Sequence, residues 1–377
     1  MKIIGIIAEY NPFHNGHKYQ IDKIREKYND ALIIVCMSSS FTQRGDISIL
    51  NKWDKTKCAL ENNVNLVIEL PYIYSTQSSD TFAKYALKIL NELKIEELCF
   101  GSEENNIDKL YKVADTQINN KEFDIKVKEH LDNGINYPTA LNNALKELIQ
   151  IEITKPNDLL GVSYIKEIIK NKYNIKPFTI KRTNDYHDID SNNDIVSASN
   201  IRQRILNKEE IKNKVPQVTY ELLQNKNINN NYFELLKYKI ISETDLNKYL
   251  DVDEGLSTRI KEQIYKSNSL EELIQNIKTK RYTYNKISRM LLHILTNFTK
   301  EEATNIKVEY IRILGFTSKG KEYLNKIKKI IKLPVLTGYK KNISKILDKE
   351  LQITKIYSLV TDTNLIKKEY ENKPIIK

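Results

Sequence analysis

The sequence predicts a doubly wound α/β domain with a parallel sheet, followed by a mainly helical and basic domain. Two observations predict this fold class. Short apolar runs alternate with amphipathic stretches up to about residue 207, which is the pattern of parallel strands joined by helices. Beyond that point apolar residues recur every three or four positions, with lysines between them. We therefore expect domains at residues 1–207 and 208–377.

The first half contains five apolar runs that are short enough to be strands. They lie at residues 3–8, 31–37, 66–70, 97–100 and 178–181. Amphipathic stretches predict helices at residues 17–27, 81–93 and 159–169 and from about residue 199. Lys52, Asp54 and Lys55 flank the only tryptophan, Trp53, and we expect them on a solvated helix face rather than in a substrate loop.

The second half is dominated by helical periodicity. We expect helices at residues 233–241, 256–265, 270–277, 284–295 and 324–331. Residues 306–314 and 333–336 could add a strand or two, and the Asn-rich residues 225–231 form a polar loop.

The charge of the protein is unevenly distributed along the chain. The 377 residues carry a net charge of +11, but residues 1–200 hold 25 Lys and Arg against 28 Asp and Glu, whereas residues 201–377 hold 35 against 21. Clustered cations favour a polyanionic partner, because neutralising phosphates releases counterions. A coding bias towards Lys, Asn and Ile is the alternative explanation.

Composition also excludes several classes of protein. No run reaches the ~18 apolar residues that a membrane span requires, so we expect no membrane partner. Cys36, Cys58 and Cys99 match neither a disulfide framework nor paired zinc ligands, which predicts a reducing, cytoplasmic location. The oligomeric state does not follow from the sequence.

The most informative motif follows the first strand directly. It is the segment AEYNPFHNGH at residues 8–17, which ends in His-Asn-Gly-His and leads into a helix. This layout resembles that of the adenylyl-transferring nucleotidyltransferases, which have a Rossmann-like fold. Gly16 allows close backbone approach to a triphosphate, and His14 and His17 can donate to an α-phosphate as charge builds on it. The alternative is a capped turn with incidental histidines.

A second motif lies about 180 residues further on. Ser197 and Ser199 precede a predicted helix, and Arg202 returns to the same helical face. These side chains could close over the β- and γ-phosphates of a nucleotide, with Arg202 as a bidentate donor. A serine cap before an ordinary helix is the alternative.

The basic half contains one segment that interleaves cations with aromatic residues. Lys280, Arg281 and Tyr282, followed by Arg289, suit an RNA backbone with bases stacked nearby. Taken singly, a basic run of this kind is more often a solvated helix face, and that is the alternative.

Six segments together resemble the bacterial tRNA(Met) cytidine acetate ligase family. They are YNPFHNGH (10–17), MSSSFTQRG (37–45), VIELP (67–71), FGSE (100–103), TKRYT (279–283) and IRILGF (311–316), in the same order from residue 1 to about residue 340. The resemblance implies a ligase that activates acetate with ATP and transfers the acetyl group to the exocyclic amine of the wobble cytidine of elongator tRNA(Met), giving N4-acetylcytidine.

The resemblance also implies an ATP site and the roles of its residues. His14 and His17 would be the catalytic pair, and Lys18 would be a further phosphate contact. A Mg²⁺ ion would bridge the phosphates, although the sequence shows no fixed set of metal ligands. The implied ATP-binding residues are Ile7, Ala8, Glu9, Tyr10, Asn11, Pro12, Phe13, His14, Asn15, Gly16, His17, Lys18, Tyr19, Gln20, Gly101, Asn157 and Arg182.

Two other functions remain open at this stage. One is another adenylyltransferase of the same superfamily, acting on phosphopantetheine or nicotinamide mononucleotide, although such an enzyme would have no use for the basic second half. The other is a non-catalytic RNA-binding protein with a relic nucleotide site.

Overall fold

The computed structural model describes residues 1–182, 194–224, 231–253, 255–280, 282–304, 306–361, 363–371 and 373–377. No described helix is both long and apolar enough to cross a membrane.

The first half contains five strands with helices between them, as the sequence predicts, and four consecutive helices separate the fourth strand from the fifth. Its strands are β1 (Ile3–Ala8), β2 (Leu32–Ser38), β3 (Leu66–Leu70), β4 (Glu97–Ser102) and β5 (Lys176–Lys181). Its helices are α1 (Asn15–Lys27), α2 (Lys52–Glu61), α3 (Tyr72–Ser75), α4 (Ser79–Glu92), α5 (Ile107–Asn119), α6 (Lys121–Asp132), α7 (Tyr137–Ile149), α8 (Pro156–Asn171) and α9 (Ala198–Leu206).

The second half is mainly helical and also supplies three short strands. Its helices are α10 (Gln217–Gln224), α11 (Tyr232–Ser242), α12 (Leu256–Gln263), α13 (Leu270–Ile277), α14 (Tyr284–Leu295), α15 (Lys300–Ala303), α16 (Ser318–Ile327), α17 (Lys345–Val360) and α18 (Ile366–Glu371). Its strands are β6 (Ile311–Phe316), β7 (Val335–Leu336) and β8 (Ile375–Ile376).

One sheet runs through the molecule. Its described strands lie in the order β5-β4-β1-β2-β3-β6-β7, and β8 pairs with β6. The first five strands are parallel and bury nearly continuous apolar runs, which is typical of a sheet covered by helices on both faces. Strand order reverses beside β1, so the carboxyl ends of β1 and β4 border the position where ligands enter such folds.

The second half completes this sheet. β6 pairs antiparallel with β3, with Leu66 opposite Phe316 and Val67 opposite Gly315, so the sheet is mixed and not purely parallel. Periodicity indicated a strand near residues 306–314 but could not show where it pairs. The division at residue 207 stays a prediction, and the sheet itself extends across it.

A buried ion cluster joins the two halves behind β3. The Lys52 ammonium contacts the Glu69 carboxylate at 2.6 Å and also that of Glu369, and Arg312 reaches Glu369 at 2.6 Å and Glu69 at 3.3 Å. All four side chains are at most 3% exposed. Two cations therefore balance two carboxylates where unpaired charge would be costly.

Two expectations from the sequence need correction, and a third lies almost wholly outside the described residues. Lys52 and Lys55 do not lie on a solvated face, because α2 packs them inward where carboxylate and carbonyl groups receive them. The helix expected at residues 324–331 instead spans Ser318–Ile327, since Thr317 caps its start. Of the loop expected at 225–231, residues 225–230 lie outside the described part of the chain, and Asn231 precedes α11.

Candidate active site

The motif after β1 is held rigidly by its own aromatic residues. Tyr10 has a left-handed backbone, with φ of 48°, and Tyr10 and Phe13 are buried. Their rings pack against the His17 ring at centroid distances of 4.7 and 5.6 Å. These contacts fix the position of the His17 imidazole at the start of α1.

His14 and His17 form a reciprocal cap at the start of α1. The Gly16 N–H donates to His14 Nδ1 at 3.0 Å, and the His14 N–H donates to His17 Nδ1 at 3.2 Å. An Nδ1 atom that accepts a hydrogen bond carries no proton, so each neutral ring keeps its proton on Nε2. The two rings lie 3.8 Å apart and offer two Nε2–H donors side by side.

Burial keeps both histidines neutral. It lowers the pKa of His14 to about 3, with Arg182 and Arg202 acting in the same direction. The pKa of His17 is lowered well below its ordinary value by burial, with smaller effects of His14 and Arg182. Both side chains are therefore uncharged at neutral pH, and the positive charge near them comes from Arg182 and Arg202.

The histidines line a small cavity at the carboxyl ends of β1, β4 and β5. Its volume is about 60 Å³, so it matches a phosphate group better than a whole nucleotide. The lining residues come from four segments: His14, Gly16, His17, Tyr19 and Gln20; Gly101; Ile180, Lys181 and Arg182; and Ile195 and Val196. The cavity thus brings five of the predicted residues at 14–20 together with Gly101 and Arg182, whereas Asn15 and Lys18 do not line it.

Gly101 permits the close approach of Arg182. A Cβ atom at position 101 would lie 3.3 Å from Arg182 Cγ and would narrow the cavity. Together with the positive end of the α1 dipole, the arginine makes the cavity suited to an anion.

Asn11 and Glu9, two other residues of the predicted ATP site, connect the motif after β1 to the loop after β2. The Asn11 amide donates to the Ile47 carbonyl at 3.1 Å and accepts from the Ile49 N–H at 2.8 Å. Glu9 accepts from the Gln43 N–H. These contacts fix the motif on the loop of residues 39–49, which follows β2.

Lys18 and Asn157, two further residues of the predicted ATP site, contact carboxylates of the protein. The Lys18 ammonium pairs with Asp22 at 2.5 Å on the exposed side of α1. Asn157, in the first turn of α8, donates to Glu103 Oε1 at 2.6 Å and thereby holds the segment that follows β4.

The predicted closure motif lies beside the cavity. Ser197 caps α9 by accepting from the Asn200 N–H at 3.1 Å, and the hydroxyls of Ser197 and Ser199 are 2.8 Å apart. Arg202 donates to the Asn11 carbonyl at 2.8 Å and lies 3.5 Å from Asp46. Ile195 and Val196, just before the cap, line the cavity wall.

The residues predicted to bind RNA are divided between surface and interior. Lys280 is exposed, and Arg281 lies outside the described residues. Tyr282 is 9% exposed, with the Lys286 ammonium 5.0 Å from its ring. The Arg289 side chain is only 12% exposed, and its Nε lies 3.9 Å from Asp251.

Sequence reasoning missed Lys55 as a site residue. Its ammonium donates to the carbonyls of Glu9 and Ser38 at 3.0 and 2.7 Å and to the Ser48 hydroxyl at 3.1 Å. It thus ties together the ends of β1 and β2. Burial lowers the pKa of Lys55 to about 7, opposed by Glu9. Its partners are distant in sequence, so no local pattern could reveal this role.

Comparisons with known proteins agree with this geometry. A family described as HIGH Nucleotidyl Transferase matches residues 1–373. The chain is 41% identical to the tRNA(Met) cytidine acetate ligase of Caldicellulosiruptor bescii, over 87% of this chain and 85% of the relative. It is 36% identical to the protein of the same name from Bacillus subtilis, over 100% of this chain and 97% of the relative.

A solved structure shares the fold over its whole length. The crystal structure of Thermotoga maritima TmcAL bound with alpha-thio ATP superposes with a TM-score of 0.88 at 30% identity, covering 100% of this chain and 99% of the other. The paired histidines at the end of β1 and the matches along the full chain lead to one conclusion: the chain belongs to the tRNA(Met) cytidine acetate ligase family of HIGH nucleotidyl transferases.

Proposed function

We propose that this protein is an ATP-dependent ligase that activates acetate as acetyl-adenylate and transfers the acetyl group to the exocyclic amine of the wobble cytidine of elongator tRNA(Met). The observation that carries this proposal is the pair of neutral Nε2–H donors on His14 and His17 beside an anion-sized cavity. The name that the relatives carry, tRNA(Met) cytidine acetate ligase, supports tRNA(Met) as the acceptor of the acetyl group. The alpha-thio ATP in the Thermotoga maritima structure supports ATP as the nucleotide.

The first step needs stabilisation of the negative charge that builds on the α-phosphate oxygens. An acetate oxygen forms a bond to the α-phosphorus while the bond to the bridging oxygen breaks, and pyrophosphate leaves. Negative charge grows on the non-bridging α-phosphate oxygens in the transition state. Hydrogen bonds from His14 and His17 that strengthen at this moment lower the barrier, because fixed donors need no reorganisation.

The second step needs positioning more than acid-base chemistry. The cytidine amine attacks the acetyl carbon, the bond to the adenylate oxygen breaks, and AMP leaves as the nitrogen loses a proton. AMP is a better leaving group than the oxygen of free acetate, which is why activation comes first. Lys55 holds the ends of β1 and β2 in place, and we assign it a positioning role.

Any metal site must be judged from the described part of the chain. The described residues contain no cluster of three or more His, Cys, Asp or Glu side chains that could hold an ion. We infer that any Mg²⁺ is held mainly by the phosphates of ATP and by water, which is usual for this ion. We also place the enzyme in the cytoplasm, where its three buried free thiols would stay reduced.

The basic second half supports an RNA acceptor. Its 35 Lys and Arg against 21 Asp and Glu after residue 200 favour a polyanion. Such an excess would serve no purpose in an enzyme that joins ATP to a small phosphate ester. We therefore prefer the tRNA acceptor to phosphopantetheine or nicotinamide mononucleotide.

One experiment separates these functions. The protein is incubated with ATP, labelled acetate and total tRNA, and label is sought in N4-acetylcytidine of tRNA(Met). We expect label with the wild type and little with His17→Ala. Equal labelling by both proteins, or none with the wild type, contradicts the proposal. Pyrophosphate release with phosphopantetheine or nicotinamide mononucleotide, but not with acetate, would establish the alternative adenylyltransferase. RNA binding without pyrophosphate release from any of these substrates would indicate the non-catalytic protein.

A further inference from the structure

A second cavity lies between the two halves of the chain. Its volume is about 480 Å³, within the range of roughly 300–1,000 Å³ that is usual for sites of small molecules or single nucleotides. One wall is formed by the start of α4 and the residues before it, and the other by the second half. The lining residues are Gln77, Thr81, Lys84, Tyr85, Leu250, Ala303, Ile306 and Lys307.

The charge of this cleft is positive. Among the described lining residues the charged side chains are Lys84 and Lys307, both exposed, and neither forms an ion pair with a described residue. The Lys84 ammonium lies 5.1 Å from the Tyr85 ring centroid. Two ammonium groups with no carboxylate partner among the described residues favour an anionic ligand, and a phosphate suits lysine as a point charge.

The walls of the cleft are fixed to each other by hydrogen bonds. The Tyr85 hydroxyl donates to the Ile306 carbonyl at 2.8 Å, and the Tyr74 hydroxyl donates to the Lys307 carbonyl at 2.7 Å. The two tyrosine rings stack at 4.5 Å. The position of Lys307 opposite α4 is therefore set before any ligand arrives.

A short chain of contacts connects the cleft to the catalytic motif. Gln77, which lines the cleft, accepts on its carbonyl from the Gln43 side chain at 2.5 Å. The backbone N–H of the same Gln43 donates to Glu9, next to the end of β1. The side-chain amide N–H of Gln77 donates to the Ile73 carbonyl at 3.0 Å. The amide oxygen of Gln77 can therefore accept a hydrogen bond from an amine.

We propose that this cleft binds a nucleotide of the acceptor RNA, with a backbone phosphate between Lys84 and Lys307. The proposal rests on the proposed function and names the surface by which the acceptor approaches the adenylate. Its physical basis is a preformed, nucleotide-sized cleft with two lysines that form no ion pair with a described residue. Gln77 and Gln43 connect this cleft to the motif that we propose holds the adenylate.

The test is the double variant Lys84→Gln/Lys307→Gln. The matched control is Lys88→Gln/Lys321→Gln, which removes two exposed lysines from α4 and α16 that do not line the cleft. We expect the cleft variant to bind tRNA(Met) at least about tenfold more weakly, with a salt slope smaller by about one, because a single phosphate contact is lost. Acetate-dependent ATP–pyrophosphate exchange should stay at the wild-type rate, because the ATP cavity is untouched.

A second readout does not depend on substitution. Wild-type protein is treated with an amine-acylating reagent with and without tRNA(Met), and each lysine is followed by mass spectrometry. We expect tRNA to protect Lys84 and Lys307 more strongly than Lys88 and Lys321.

Three outcomes overturn the proposal. They are equal tRNA affinity of the cleft and control variants, an unchanged salt slope, or equal protection of all four lysines. Failure of the proposed function is recognised separately, because wild-type protein would then transfer no acetyl group to tRNA at all.

Discussion

His14 and His17 each carry two roles on two different nitrogen atoms. Nδ1 of each ring accepts a backbone N–H at the start of α1. Nε2–H of each ring is the donor that we propose for the ligand. The sequence predicts that both residues donate to a phosphate. It could not show that the imidazoles are neutral, since that depends on burial by Tyr10 and Phe13 and on the accepted hydrogen bonds.

Substituting His14 by two different amides separates these roles. The Asn oxygen can replace Nδ1 as the cap acceptor, whereas the Gln amide reaches the position of Nε2. We expect His14→Asn to keep its melting temperature but to lose about 10²–10³-fold in acetate-dependent pyrophosphate exchange, because a transition-state donor is missing. His14→Gln should retain more activity and less stability. Equal activity of the two variants would contradict a donor role for Nε2.

The buried histidines also predict an acid-sensitive stability. The folded pKa of His14 is about 3, against an ordinary value of 6.5, so the unfolded chain takes up its proton first as the pH falls. The contribution of neutral His14 to the free energy of unfolding is complete above pH 6.5 and is lost as the pH falls towards 3. Between about pH 7.5 and about pH 5.5 the free energy of unfolding should fall by about 1.4 kcal/mol for this residue.

Urea unfolding at these two pH values measures the effect. The His14→Asn variant has no imidazole at this position and should lose about 1.4 kcal/mol less than the wild type over the same interval. An identical loss in both proteins would show that His14 titrates normally in the folded state.

At the scale of elements, α2, β3, β6 and α18 are held together by the buried ion cluster of Lys52, Glu69, Arg312 and Glu369. Burial opposes ionisation of Glu369, yet Lys52 and Arg312 hold its pKa down at about 2. Glu350 of α17 lies close by, and burial together with Glu69 raises its pKa to about 7. It contacts the Ser39 hydroxyl and accepts from the Tyr72 N–H at 2.7 Å, so α17 also holds the ends of β2 and β3.

Removing one carboxylate from the cluster should be strongly destabilising. Glu369→Ala removes one of the two carboxylates that balance the buried Lys52 and Arg312. We expect the free energy of unfolding to fall by about 3–5 kcal/mol. The control is Glu371→Ala on the same helix, where the exposed pair with Lys367 contributes at most about 1 kcal/mol. Similar denaturation midpoints for the two variants would contradict this role of the cluster.

Most elements of the first half could be predicted because each one is encoded locally. The run of residues 3–8 and the run of residues 66–70 match β1 and β3 at both ends. The cluster could not be predicted, because nothing local distinguishes a lysine that will meet a distant carboxylate from one that faces water. Lys52 and Lys55 were therefore wrongly expected on a solvated face.

At the scale of the whole molecule, the uneven charge predicts how RNA binding responds to salt. If the second half neutralises several phosphates, the affinity for tRNA(Met) should fall by about 10³-fold or more between about 50 and about 200 mM salt. Acetate-dependent pyrophosphate exchange, which involves no RNA, should change far less. Filter binding and exchange assays over the same salt series test both statements. An affinity that is flat across the series would leave coding bias as the explanation for the lysines.

The sequence by itself determined the fold class and the family and predicted His14 and His17 as the catalytic pair. Each of these is encoded in continuous segments: apolar periodicity, short motifs in a fixed order, and a strand followed by His-Asn-Gly-His. The tertiary structure alone decided which distant segments meet. Folding brought Gly101, Arg182 and Val196 to His14, paired β6 with β3, and buried Lys52 and Lys55 against carboxylates and carbonyls. The protonation state of the histidines belongs to this second group, because a pKa is set by burial and by neighbouring charges that only the folded chain assembles.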